Sequence, residues 1–130
     1  GQARLRHVAV GLNFADTYFR AGLYPVPLPD GIGVEAAGIV EAVGDGVTNV
    51  APGDRVTYTG FLNTLGAYTT ERVMPAAPLI VLPPEISCET AAAMTIVAKA
   101  SCRLYRSTAF VSSVTNPSTR TRRSSRSSLG

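Results

Sequence analysis

The stretch from Gly31 to Tyr58, GIGVEAAGIVEAVGDGVTNVAPGDRVTY, constrains the chain more than any other. Two turn signals punctuate it, Gly44-Asp45-Gly46 and Pro52-Gly53-Asp54. Glycine supplies positive φ and proline presets the first corner of a turn. The runs Ala36 to Val43 and Val47 to Val50 are apolar and rich in Val. After the second turn, Val56 and Tyr58 alternate with Arg55 and Thr57, the period of a half-buried strand. The stretch therefore predicts two strands joined through glycine turns, and a mainly β fold around them.

The same stretch contains a dinucleotide-like pattern, Gly31-Ile-Gly33-Val-Glu-Ala36. A phosphate-gripping version of that pattern needs a strand before it and a helix after it, so that the pyrophosphate meets the helix N-terminus. Here it follows Tyr24-Pro-Val-Pro-Leu-Pro, which cannot be a central strand, and precedes a β-like run. It reads as a glycine-lined start to a strand.

Before this stretch, Ala3 to Val10 alternates Arg4 and Arg6 with Leu5 and His7, a strand with one wet face. His7 has no Cys, Asp or second His placed to cooperate and reads as structural. Asn13 can cap a short helix, with Asp16 favouring its positive end. Phe14, Tyr18 and Ala21 follow the spacing of one helix face, and Gly22 can stop it. A buried tyrosine hydroxyl must find a partner. Tyr18 therefore either packs its ring in the core or sends its hydroxyl to a cleft. Tyr24 to Pro29 must be an extended loop, serving as a connector or a pocket border.

After it, Thr59 to Thr70 reads as a turn between strands, with Phe61 and Leu62 exposed at its tip unless covered. Glu71 to Met74 continues as a strand, and Leu79 to Leu82, framed by prolines, is a buried or edge strand. Ser87 can cap a helix running from Glu89 to Ala98, whose alanines favour helix. Cys88 has no basic neighbour in sequence to lower its pKa and reads as structural.

Charge is unevenly spread. All nine acids and five of the twelve bases lie in residues 1–95, whereas residues 96–130 hold seven bases and no acid. The first part is an acidic domain and the last a basic tail. Two cysteines, Cys88 and Cys102, make no disulfide framework, and no apolar run approaches the ~20 residues of a membrane helix. A cytoplasmic location follows as the default. With one histidine and two cysteines, no pair has metal-ligand spacing, and catalytic zinc needs three protein ligands.

Several ordered motifs point to one family. Gly33-Val-Glu35-Ala-Ala-Gly38-Ile-Val40, Val43-Gly44 and Gly53-Asp54-Arg55-Val56 resemble the catalytic domain of medium-chain dehydrogenases/reductases. The run from Gly11 to Pro25, with Gly66-Ala67-Tyr68 and Ala91 to Thr95, resembles the zinc-independent quinone oxidoreductase (zeta-crystallin-like) branch. The zinc-dependent cousins carry His where this chain has Val34. The resemblance runs from the first residue to about Thr95. It implies a partial GroES-like β-barrel with short helices, lacking the family's first hairpin, as residues 1–98. It implies hydride transfer from NADPH to a quinone or another activated carbonyl without metal, or reduction of an enoyl or enone substrate, by a homodimeric parent enzyme. It places the tyrosine matching Tyr18 in the nicotinamide pocket, as the catalytic residue, with the Asn13 match beside it. Tyr24 falls at the substrate mouth.

After Thr95 the family pattern stops, and no Gly-rich loop for a pyrophosphate follows. Twelve of residues 107–130 are Ser or Thr, with four Arg among them. Such a composition cannot bury enough apolar surface to offset chain entropy, so residues 99–130 are expected to be a disordered tail. Its readings are a nucleic-acid arm, a phosphorylatable Ser/Arg segment, or translation out of frame. The lost motif favours the last. Nucleic acid is not expected as a partner, because the last twenty residues contain no aromatic ring. A non-enzymatic β-barrel module with a basic arm is the competing class.

Overall fold

The structure is a computed structural model, and it describes residues 1–26, 31–60 and 65–104, with side chains through residue 98. The expectations for Phe61, Leu62 and residues 105–130 lie outside the described residues. So do residues 27–29 of the proline loop.

Among the described residues, five strands form one antiparallel sheet in the order β4-β1-β2-β3-β5. They are β1 (Gln2–Val10), β2 (Glu35–Val43), β3 (Arg55–Thr59), β4 (Glu71–Pro75) and β5 (Ile80–Val81). The sheet is built on β2, as the glycine-punctuated stretch predicts. β2 pairs with β1 from Ala3↔Val43 to Val10↔Ala36 and with β3 from Glu35↔Thr59 to Ile39↔Arg55. Register shifts place an extra residue on β2, Glu41, opposite Arg4/Leu5 and one on β1, Val8, between His7 and Ala9, and an extra residue on one strand locally raises twist. The two turns carry left-handed glycines, Gly46 at φ 77° and Gly53 at φ 93°. The dinucleotide-like glycines lead into β2 and not into a helix.

Alternation along β2 sorts its side chains to two faces. Ala36 and Val40 join Leu5, Val56, Tyr58, Met74 and Leu79 in the main core. Ala37 faces the other way, onto Cys88, Ala91 and Ala92 of α2 (Cys88–Leu104). Small residues on both partners let this helix lie close to the sheet. Both faces of β2 are thus covered, which is why Ala36 to Val40 is apolar without a break. Leu79 to Leu82 resolves as an edge: Ile80 and Val81 are half exposed.

Two elements differ from expectation. Phe14, Tyr18 and Ala21 do lie along α1 (Phe14–Arg20) and its C-cap, but on its outer side, and Phe14 is 75% exposed. The buried side holds Asp16 and Phe19, with Phe19 packed on Val34 and Leu65. A two-turn helix carries too few residues for spacing to tell its faces apart. α2 starts at Cys88, directly after the Ser87 cap, whose hydroxyl accepts the Thr90 N–H at 3.1 Å, and continues to Leu104, past the expected end at Ala98.

Candidate active-site cleft

The site begins where β1 runs out. Gly11, Leu12 and Asn13 link β1 to α1, and Asn13 is the N-cap of that helix, extended at φ −117° and ψ 145°. Asn13 and Asp16 form a capping box. Its main-chain half is the Asn13 N–H donating to Asp16 Oδ2 at 2.9 Å. The same oxygen accepts the Tyr68 hydroxyl at 2.7 Å. Shelter from water, then the Asp16 hydrogen bond and the negative charges of Asp16 and Glu35, push the Tyr68 phenol up to about 12. It stays protonated and donating at any physiological pH.

With the main chain of Asn13 pinned, its side chain reaches the other way. Nδ2 donates to Glu35 Oε1 at 2.8 Å. Glu35, the first residue of β2, is 2% exposed. Its second oxygen accepts the main-chain N–H of Ile96, in α2, at 2.7 Å. Gly11 makes this possible: a Cβ there would overlap the Glu35 side chain and the Ala92 carbonyl.

A cleft of about 390 Å³ opens over this bridge. Val10 to Asn13 form one wall, Ala92, Ala93, Ile96 and Val97 the other, and Glu35 lies between them. α1, which Asn13 caps, presents an aromatic surface on its outer side. Tyr18 stacks edge-on against Phe14 at 5.2 Å and Tyr24 at 5.4 Å between centroids. Tyr24 also meets Phe19. Among the described residues the Tyr18 hydroxyl makes no hydrogen bond.

The Alcohol dehydrogenase GroES-like domain family matches residues 1–84. The chain belongs to that family. As a GroES-like domain it is 47% identical over 108 residues to the quinone oxidoreductase of Pseudomonas aeruginosa, covering 82% of this chain and 33% of the relative. It is 48% identical over 94 residues to the 2-haloacrylate reductase of a Burkholderia species, covering 68% of this chain and 27% of that enzyme. The crystal structure of Escherichia coli quinone oxidoreductase complexed with NADPH matches with a TM-score of 0.74 at 44% identity, over 82% of this chain and 32% of that one. The chain spans about a third of the length of these relatives.

Within this domain, the candidates named from sequence do not all meet in one place. Asn13 lines the cleft; Tyr18 and Tyr24 share the neighbouring aromatic surface. Glu35 and Tyr68, which hold the site together, were not read from sequence as site residues. The signal for Glu35 was present: a carboxylate inside Val34-Glu35-Ala36-Ala37 is buried with its strand and must be partnered. His7 is scaffold, as expected. Its Nδ1 lies 2.7 Å from the Thr69 carbonyl and its Nε2 3.1 Å from the Tyr58 hydroxyl. Burial chiefly holds its pKa below the usual value, and the Arg72 charge adds to this. Cys88 is a buried free thiol whose pKa burial raises, in line with a structural role. Among the described residues no three His, Cys, Asp or Glu side chains converge as a metal site, and no helix is long and apolar enough to cross a membrane.

Proposed function

We propose that this domain supplies one half of a cleft in which a hydride passes from NADPH to a quinone or another activated carbonyl, with no metal. The observation that carries the reading is the Asn13 amide, fixed by a buried carboxylate at the edge of a cleft of mixed polar and apolar lining. A polar group held that firmly beside apolar walls is what orienting a small planar ligand requires.

The residues present fit one end of a dinucleotide. The cleft lining has carboxylates, Glu35 and Glu89, and no cation among the described residues. Arg4 and Arg6 pair with Glu41, and Arg55 donates to the carbonyls of Pro83 and Pro84. The lining suits an uncharged nicotinamide and not its phosphates, which another part of a longer protein would hold. NADPH, when bound, supplies the hydride. Asn13 and Tyr18 would hold the nicotinamide end, and the apolar walls exclude water from it. The Tyr18 hydroxyl, with no partner among the described residues, is the donor available to meet charge on the acceptor oxygen. Fixed donors of this kind act strongly in a water-poor site. Tyr24, 44% exposed, borders the acceptor's path. Val34, wholly buried among apolar side chains, occupies the position where zinc-dependent cousins carry a ligand.

A second acceptor class has support. The 2-haloacrylate reductase is as similar as the quinone oxidoreductases, so an activated alkene conjugated to a carbonyl is the alternative substrate. The parent enzyme is read as a homodimer in a reducing cytoplasm, in keeping with the free Cys88 thiol.

Binding tests the reading directly. The 130-residue chain should show no micromolar NADPH affinity by calorimetry, because no described residue lining the cleft is a cation that could grip phosphate. Nicotinamide at millimolar concentration should shift the NMR signals of Asn13 and Tyr18. Micromolar NADPH binding, or nicotinamide shifts only elsewhere, would overturn it.

A further inference from the structure

Glu35 does more than balance a buried charge. Its two oxygens take N–H groups from opposite walls of the cleft: Asn13 Nδ2 at 2.8 Å and the Ile96 main chain at 2.7 Å. These partners lie 22 and 61 positions away in sequence. We propose that Glu35 is the positioning residue of the cleft, setting which end of the Asn13 amide a bound nicotinamide meets. The inference rests on the reading of the cleft given above.

The argument is one of hydrogen-bond polarity. An ionised carboxylate accepts and cannot donate, whereas an amide has one accepting and one donating end. Ile96 can offer only its N–H. Asn13 must therefore turn Nδ2, and not Oδ1, towards Glu35. Its main chain cannot move to compensate, because the Asn13 N–H is held by Asp16 Oδ2 at 2.9 Å. The remaining freedom of Asn13 is rotation of its amide, which Glu35 holds through Nδ2 in the same sense as the capping box, whose Asp16 N–H needs the accepting end. Gly11 leaves the carboxylate its place, since any side chain there would displace it.

Glu35→Gln changes the polarity while keeping the shape. A glutamine that accepts from Ile96 must donate to Asn13, which forces the Asn13 amide to invert. The double variant Asn13→Asp/Glu35→Gln restores every hydrogen bond inside the protein with the roles exchanged, yet leaves no amide facing the ligand.

Nicotinamide titrated into the 130-residue chain, followed by the main-chain NMR signals of Gly11 and Ile96, separates the outcomes. Melting curves and side-chain amide exchange at Asn13 are measured alongside. Glu35→Gln should lower the response per millimolar nicotinamide about tenfold, as expected when buried groups are left mismatched. It should also speed exchange of the Asn13 amide. The double variant should regain the wild-type melting temperature but not the nicotinamide response. Recovery of both in the double variant would make Glu35 purely structural and overturn the proposal. Equal binding by wild type and Glu35→Gln would overturn it too. A wild type blind to nicotinamide, with Asn13 exchange still slowed by Glu35, would sink the nicotinamide reading and leave the anchoring of Asn13 standing. Exchange indifferent to Glu35→Gln would remove the anchoring itself.

Discussion

A single missing Cβ lets a carboxylate lie across the cleft floor. Gly11→Ala would drive a methyl group into the Glu35 side chain and the Ala92 carbonyl, and neither the strand nor the helix can retreat easily. Overpacking of this kind costs about 1–3 kcal/mol, so urea denaturation should show a clear loss of stability. His7 gives a second residue-level expectation. Its pKa in the fold lies below 6.5, so the unfolded chain takes up a proton first as pH falls. Stability is therefore full above the unfolded value and declines as pH drops through and below it. The melting temperature should fall between about pH 7.5 and about pH 5.5, and His7→Gln should flatten that slope. The neighbours of the ring agree with this sign. Tyr58 presents a hydroxyl to it and Arg72 a positive charge, and a protonated imidazole is unwelcome beside the latter. His7 was legible as structural because it stood alone in sequence. Glu35 was not legible as a linchpin, because the N–H it needs belongs to Ile96 and only folding brings that group near.

Among the elements, β1, β2 and β3 were readable because alternation and glycine turns act locally. α1 was readable as a helix but not in its orientation. Its outward stripe is aromatic and its inward side includes Asp16, which reverses the usual apolar-in rule. The reversal belongs to the candidate site, where aromatic rings face outwards and a buried carboxylate organises the cap. α2 is tied to the sheet by polar bonds as well as alanines. Thr57 Oγ1 donates to the Ala36 carbonyl at 3.0 Å and lies 2.7 Å from Thr95 Oγ1. Thr57→Val would orphan acceptors in a buried place and should cost about 1–2 kcal/mol. Thr57→Val/Thr95→Val removes both hydroxyls together, so the double variant should lose less than the sum of the singles. Chemical denaturation of the four proteins in this cycle measures the coupling directly.

At the scale of the whole molecule, the cleft is lined by the Asn13 amide, two carboxylates and apolar side chains, and no cation stands among its described lining residues. On the proposed reading the labour is divided physically: this domain would shape the reacting end of a dinucleotide, and the charged end would be met elsewhere. Supplying that missing part tests the idea. In a chimera, residues 1–84 of this chain, the span of the family match, replace the corresponding segment of the Pseudomonas aeruginosa quinone oxidoreductase. Sheet and α1 travel together in this segment; α2 comes from the host. The chimera should reduce quinones with NADPH, and parallel assays with enones decide between the two acceptor classes. If the Tyr18 hydroxyl meets developing charge on the acceptor, Tyr18→Phe should lower kcat by about 100-fold, the loss seen when one oxyanion donor is removed, with a smaller change in KM. If Tyr18 only packs its ring against Phe14 and Tyr24, the same change leaves kcat nearly intact, because phenylalanine keeps those contacts. An active chimera indifferent to Tyr18→Phe would therefore keep the domain's place in the enzyme and remove the tyrosine from its chemistry.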